Sequence, residues 1–122
     1  MPHIIVEYSA NIEPACSASA LLDCIHQAAI GTGIFEPDAV RTRAAPRTLY
    51  RVGNGKDETA GFILIMARIR PGRQQETQEA LLRELMRATE HYLLAVKYAR
   101  PLMVNVEIHE LPPRRVGAKL PR

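Results

Sequence analysis

The residue that most invites a chemical reading is Pro2. In MPHIIVEYSA it stands directly ahead of an alternating, strand-like run. Inside a chain such a proline merely begins a strand, where its missing N–H is no loss. If Met1 is trimmed, as is usual ahead of proline, Pro2 becomes the amino terminus and its nitrogen is a secondary amine. An α-amino group titrates near about 7.7–8.0. Burial in an apolar pocket and nearby cations both disfavour the ammonium form and lower that value. A neutral amine at pH 7 is a competent general base. On the residue alone, both readings of Pro2 stand.

Arginine outnumbers lysine 13 to 3, and its planar fork suits carboxylates held bidentately. Arg41 and Arg43 fall on one face of an extended segment, with Arg47 and Arg51 beyond. Arg73 follows Pro71-Gly72 just ahead of a long helical pattern, near backbone N–H groups that favour anions. Most of these are ordinary solvated charges. A sharper reading selects two, one binding a carboxylate and one polarising a carbonyl. Other candidates fall away. His26 with Asp23 and His109 with Glu107 offer no third or fourth ligand, so no metal site is expected. Gly53-Asn54-Gly55-Lys56 lacks the length and the Ser/Thr of a phosphate loop. No Ser or Cys stands in a recognisable His/Asp arrangement.

The elements that must position these residues are legible from periodicity. HIIVEYS alternates, with Ile4, Val6 and Tyr8 on one face. Asn11-Ile-Glu-Pro14 reads as a helix start, followed by Ala18, Leu21, Leu22, Ile25, Ala28 and Ala29 at helical spacing, with Gly31 or Gly33 as the stop. Cys16 and Cys24, eight apart, are placed in that helix as reduced thiols. Residues 40–51 read as a second strand, and Pro46 within it marks an edge strand or a bulge. After the Gly53-Asn54-Gly55 turn, residues 61–70 form a strand apolar on both faces. Leu81 through Val96 mark a long amphipathic helix, ended by Arg100-Pro101, and residues 102–111 form the last strand.

The order is β-α-β followed by β-α-β, an α+β two-layer fold. Crossovers of this length suit parallel strands. Two such units meeting as a pseudo-twofold pair give a four-stranded mixed sheet with both helices on one face. The other face is apolar too, through Phe62, Leu64 and Met66. Its expected cover is another copy of the chain.

The formal net charge of +3 belongs to the end of the sequence. Residues 113–122, PRRVGAKLPR, carry four basic residues and no acid; without them 12 basic residues face 13 acidic ones. The reading is one domain over residues 1–112 and a solvated or oligomer-contacting basic tail over 113–122. The tail has no aromatic residue, which argues against a nucleic-acid arm. No run of about 18 apolar residues spans a membrane, and no leader pattern opens the chain. A cytoplasmic protein is expected.

Taken together, MPHIIVE, GTGIF (31–35) with VRTR (40–43), PGR (71–73) before a long helix, and VNVEIHELPP resemble the 5-carboxymethyl-2-hydroxymuconate isomerase family of the tautomerase superfamily. The resemblance spans about residues 2–113, and the tail falls outside its pattern. It implies a homotrimer, an amino-terminal proline acting as general base, and no metal or organic cofactor. It carries catalytic roles to Pro2, Arg41 and Arg73, the arginines binding or polarising the substrate's carboxylate and keto groups. The implied reaction is a 1,3-proton shift in an unsaturated 2-hydroxy or 2-keto acid, a small-molecule substrate. The implied family reaction is the conversion of 5-carboxymethyl-2-hydroxymuconate to its oxo isomer in homoprotocatechuate breakdown. The alternative is a non-catalytic trimer on the same fold that binds a small acid or a protein partner.

Overall fold

The computed structural model describes residues 1–121. Four strands, β1 (His3–Ser9), β2 (Arg41–Arg47), β3 (Gly61–Ile69) and β4 (Leu102–Glu110), alternate with two helices, α1 (Ala18–Gly31) and α2 (Gln75–Ala95). The sheet order is β2-β1-β3-β4. β1 runs parallel to β2 and β3 parallel to β4, while the central pair β1/β3 is antiparallel. This is the expected β-α-β repeat meeting about a pseudo-twofold axis. Arg122, the last residue of the basic tail, lies outside the described residues.

The strands have two faces because side chains alternate along them. Ile4, Val6 and Tyr8 of β1 and Ile63, Ile65, Ala67 and Ile69 of β3 point to the helices and are at most 5% exposed. Against them lie Leu21, Ile25 and Ala29 of α1 and Leu81 and Leu85 of α2. Burying each of the larger side chains contributes about 1.5–3 kcal/mol. On the opposite face Ile5, Phe62, Leu64 and Met66 are half-buried and Met103 is 63% exposed. An apolar sheet face without cover in its own chain is what the sequence anticipated. Pro46 sits on edge strand β2, where its missing N–H breaks no ladder.

The first helix begins later than Asn11-Ile-Glu-Pro14 suggested. Residues 10–12 make one 3-10 turn, and α1 starts at Ala18 behind Ser17, whose Oγ accepts from Ala20 N at 3.2 Å. The Asn11 side chain instead donates to the carbonyls of Glu58 and Ala60, tying the approach to β3. Cys16 therefore precedes α1 in a buried turn and only Cys24 is helical. α1 ends through Thr32, with Gly33 at a φ of 72°. The second extended segment is shorter than 40–51: β2 stops at Arg47, and Gly53 and Gly55 turn the chain back towards β3.

Candidate active site

Pro2 is buried immediately ahead of β1. Its carbonyl accepts from Arg41 N at 3.0 Å, the first bond of the parallel β1/β2 pairing. That bond fixes Arg41 as the neighbour of Pro2 across the strand gap. The Arg41 side chain is exposed and its Nη1 donates back to the Asp38 carbonyl at 2.7 Å. Arg43 lies two residues on along the same face and its Nη1 donates to His3 Nδ1 at 3.0 Å.

Arg73 arrives from the other half of the repeat. After β3 the chain turns through Pro71 and Gly72, and Gly72 has a φ of 101° that a side chain would strain. Gly72 N donates to Glu110 Oε2 at 3.2 Å, and Gln78 Nε2 donates to the Arg73 carbonyl at 3.1 Å. The turn is thereby held at both ends. The Arg73 guanidinium lies 5.2 Å from the ring centroid of Phe35, a buried residue of the GTGIF loop. Nη1 of Arg73 also donates to the Arg70 carbonyl at 3.2 Å.

The nitrogen at the start of the chain feels all of this. Its pKa lies below the usual α-amino value, first through desolvation and then through Arg70, Arg115, Arg73 and Arg41. Arg73, in the turn after β3, and Arg41, at the start of β2, both contribute to that lowering, behind Arg70 and Arg115. Pro2 is joined to Met1 here, so its own nitrogen is an amide and becomes a base only when Met1 is removed. The strand start fixes the position of the chain start, and the arginines supply a positive field that disfavours an ammonium form there.

Arg70 and Arg115 were not picked out from sequence. Arg70 could have been found from the alternation of β3, which turns residue 70 the same way as Arg68. Arg115 could not, because the route of the tail is a tertiary fact. Leu111 N donates to the Ile69 carbonyl at 2.7 Å and Leu111 is buried, which anchors the segment that follows. The tail then lies against the amino terminus, where Met1, His3, Arg68, Arg70, Arg115 and Lys119 are among the residues lining a recess of about 680 Å³. His91 and His109 are exposed. His26 Nδ1 lies 2.6 Å from Thr42 Oγ1, an α1-to-β2 contact. No group of three His, Cys, Asp or Glu among the described residues could hold a metal.

Two β-α-β units with a chain start set among arginines define a tautomerase-type fold. The chain belongs to the 5-carboxymethyl-2-hydroxymuconate isomerase family, whose model matches residues 2–119, and is an isomerase. The match runs through most of the basic tail, which the motif pattern had left outside. A 5-carboxymethyl-2-hydroxymuconate Delta-isomerase of Escherichia coli is 27% identical over 113 residues, covering 93% of this chain and 89% of that one. A 5-carboxymethyl-2-hydroxymuconate isomerase structure from Deinococcus radiodurans R1 superposes with a TM-score of 0.86 at 23% identity, covering 97% and 88% of the two chains. A fused 4-OT, described as a symmetric trimer, superposes with a TM-score of 0.71 at 21% identity over 97% and 92%.

Proposed function

We propose that the chain, once Met1 is removed, catalyses a 1,3-proton shift in an unsaturated 2-hydroxy or 2-keto acid with Pro2 as the base. The family name makes 5-carboxymethyl-2-hydroxymuconate the first substrate to try, within homoprotocatechuate breakdown. The single observation that carries the reading is geometric: Pro2 is buried at the head of β1, its carbonyl bonded by Arg41 N at 3.0 Å. The Pro2 nitrogen takes the proton activated by the keto group, leaving a dienolate. Arg41 and Arg73 stabilise the negative oxygen and hold the carboxylate, a preorganised electrostatic contribution. The prolinium returns the proton at a conjugated carbon, so no proton is gained or lost overall. The scheme asks for no metal or organic cofactor.

The same reading makes the protein a homotrimer. The half-exposed face of Ile5, Phe62, Leu64 and Met66 supports this, as does the trimeric assembly named for the fused 4-OT neighbour. Sedimentation as a monomer at micromolar concentration would remove that part of the reading.

The test combines intact mass with kinetics. Mass spectrometry is expected to find the chain beginning at Pro2. Pro2→Ala should lower kcat by about 10²-fold or more, the usual contribution of a positioned base, with KM changed far less. Arg73→Ala should damage both. A cell-made protein that keeps Met1, or a trimmed protein inert towards every 2-hydroxymuconate-like acid, would leave the small-acid-binding trimer in its place.

A further inference from the structure

Edge strand β2 carries Arg41 at its first position and is weakly packed. Within the chain it is hydrogen-bonded along one side only, to β1. Its residues alternate: Arg41 and Arg43 pair with His3 and Ile5, whereas Thr42 and Ala44 pair with Ile4 and Val6 and so point to the helices. The other strands press larger apolar side chains on the helix layer, Ile4, Ile65 and Val106 among them. On that side β2 offers Thr42, Ala44 and an exposed Pro46. So little apolar area fixes the tilt of the strand only loosely.

One polar contact closes that gap. His26 Nδ1 of α1 lies 2.6 Å from Thr42 Oγ1, and among the described residues this is the one side-chain hydrogen bond joining β2 to either helix. A hydroxyl serves as donor or acceptor, so either tautomer of the imidazole makes the bond. Both residues are half-buried, where bulk water competes less. They meet on the helix side of the sheet, away from the face assigned to other copies, so the contact is complete within one chain.

The bond reaches the site through the backbone. Arg41 N donates to the Pro2 carbonyl at 3.0 Å, and Arg41 Nη1 donates to the Asp38 carbonyl at 2.7 Å. The start of β2 is therefore held from two directions, by the residue ahead of β1 and, one residue later, by α1. With Thr42 released, the first residues of β2 hang on the ladder to β1 alone, and the guanidinium moves with them. Small misplacements of a group that must meet a substrate are costly.

We propose that His26 is a positioning residue, which by holding Thr42 sets the place of Arg41 relative to Pro2. The inference rests on the proposed role of Arg41 in the proton shift, and its structural half is measurable without turnover.

The experiment uses Met1-free full-length protein with His26→Leu, His26→Asn, Thr42→Val and the pair His26→Leu/Thr42→Val, the single changes repeated in Arg41→Ala. Leucine keeps the helix and the burial, valine matches threonine in shape, and the asparagine amide stands where Nδ1 stands. Urea unfolding reports stability, and if His26→Leu does not fold, Thr42→Val carries the same comparisons. His26→Leu and Thr42→Val should each lower kcat/KM about five-fold, the worth of one hydrogen bond. The pair should lose no more than either change alone, and His26→Asn should recover most of the loss. In Arg41→Ala each change should alter kcat/KM by less than about two-fold, because the group being positioned is gone. An unchanged kcat/KM, a loss that adds to that of Arg41→Ala, or no recovery with asparagine overturns the proposal. Amide hydrogen exchange at Arg41, which reports its bond to Pro2, should be about five-fold faster in His26→Leu, with the amides of β3 unchanged. Unchanged exchange at Arg41 overturns the proposal and leaves the isomerase reading standing. Faster exchange there, in a protein whose wild type turns over no acid, overturns the isomerase reading and leaves the positioning of Arg41 by His26 standing.

Discussion

Phe35→Leu is the sharpest single perturbation of the proposed site. Phe35 is 7% exposed, and the Arg73 guanidinium lies 5.2 Å from its ring centroid. Leucine keeps an apolar group of similar reach in the pocket, so the core loses little; such swaps usually cost less than about 1.5 kcal/mol. What disappears is the ring face under the cation. Arg73 is half-buried, so its cation–π contact is worth about 1 kcal/mol, between the exposed and the desolvated cases. Arg73 then keeps only its contact to the Arg70 carbonyl and samples other rotamers. A loss of about 1 kcal/mol in the positioning of the binding arginine corresponds to roughly a five-fold rise in KM. The assay is steady-state isomerisation followed by ultraviolet absorbance, with urea unfolding alongside to report stability. A five-fold rise in KM with kcat within two-fold is the expected result. An unchanged KM in a folded variant would refute the assignment of Phe35 as the support of Arg73, and a collapse of stability would show that its role is packing alone.

Three further outcomes follow from the geometry. A Cβ on Gly61 would stand 2.6 Å from Ser9 Oγ and 3.0 Å from Asn11 Oδ1. Ser9 Oγ is buried and accepts from Phe62 N at 2.9 Å, so Gly61→Ala should destabilise by about 2–4 kcal/mol through overpacking and a lost bond; Ser9→Ala in the same chain should recover part of this, and a neutral Gly61→Ala would contradict the packing. The His3 pKa is lowered from its ordinary value of 6.5, first by desolvation and then by Arg43 and Arg68. The unfolded chain therefore binds more protons in the window below pH 6.5, so the stability linked to His3 is complete above that pH and is lost as pH falls through the lower folded value; His3→Gln should flatten that part of the stability–pH curve. Arg70 is the first of the cations acting on the amino terminus. Arg70→Ala should raise the amine pKa and move the acid limb of kcat/KM to higher pH, since the neutral amine is the active form.

The fold was legible because its periodicities are clean. Ile4, Val6 and Tyr8 against Leu81 and Leu85 are core by spacing alone, and Pro46 announced an edge strand correctly. The start of α1 was misread because Asn11 and Pro14 carry the chemistry of a helix cap without the context. Here Asn11 spends its side chain on the carbonyls before β3, and Ser17 does the capping. The site was legible only in part. Arg41 and Arg73 follow motifs at strand and turn positions, but the charge on them is shared with Arg70 and Arg115. Composition identified the tail as basic and read it as solvated or oligomer-contacting. Only the anchoring of Leu111 to Ile69 shows that it returns to the amino terminus.

Whether an uncharged amine begins the working protein can be asked directly. Nitrogen-15-labelled, Met1-free protein, titrated by NMR, reports the ionisation of the Pro2 nitrogen alongside the pH profile of kcat/KM. The account predicts a Pro2 pKa below the ordinary α-amino value, coincident with the acid limb of activity and rising in Arg70→Ala. A pKa at or above that value, or an activity profile that ignores it, would contradict the account.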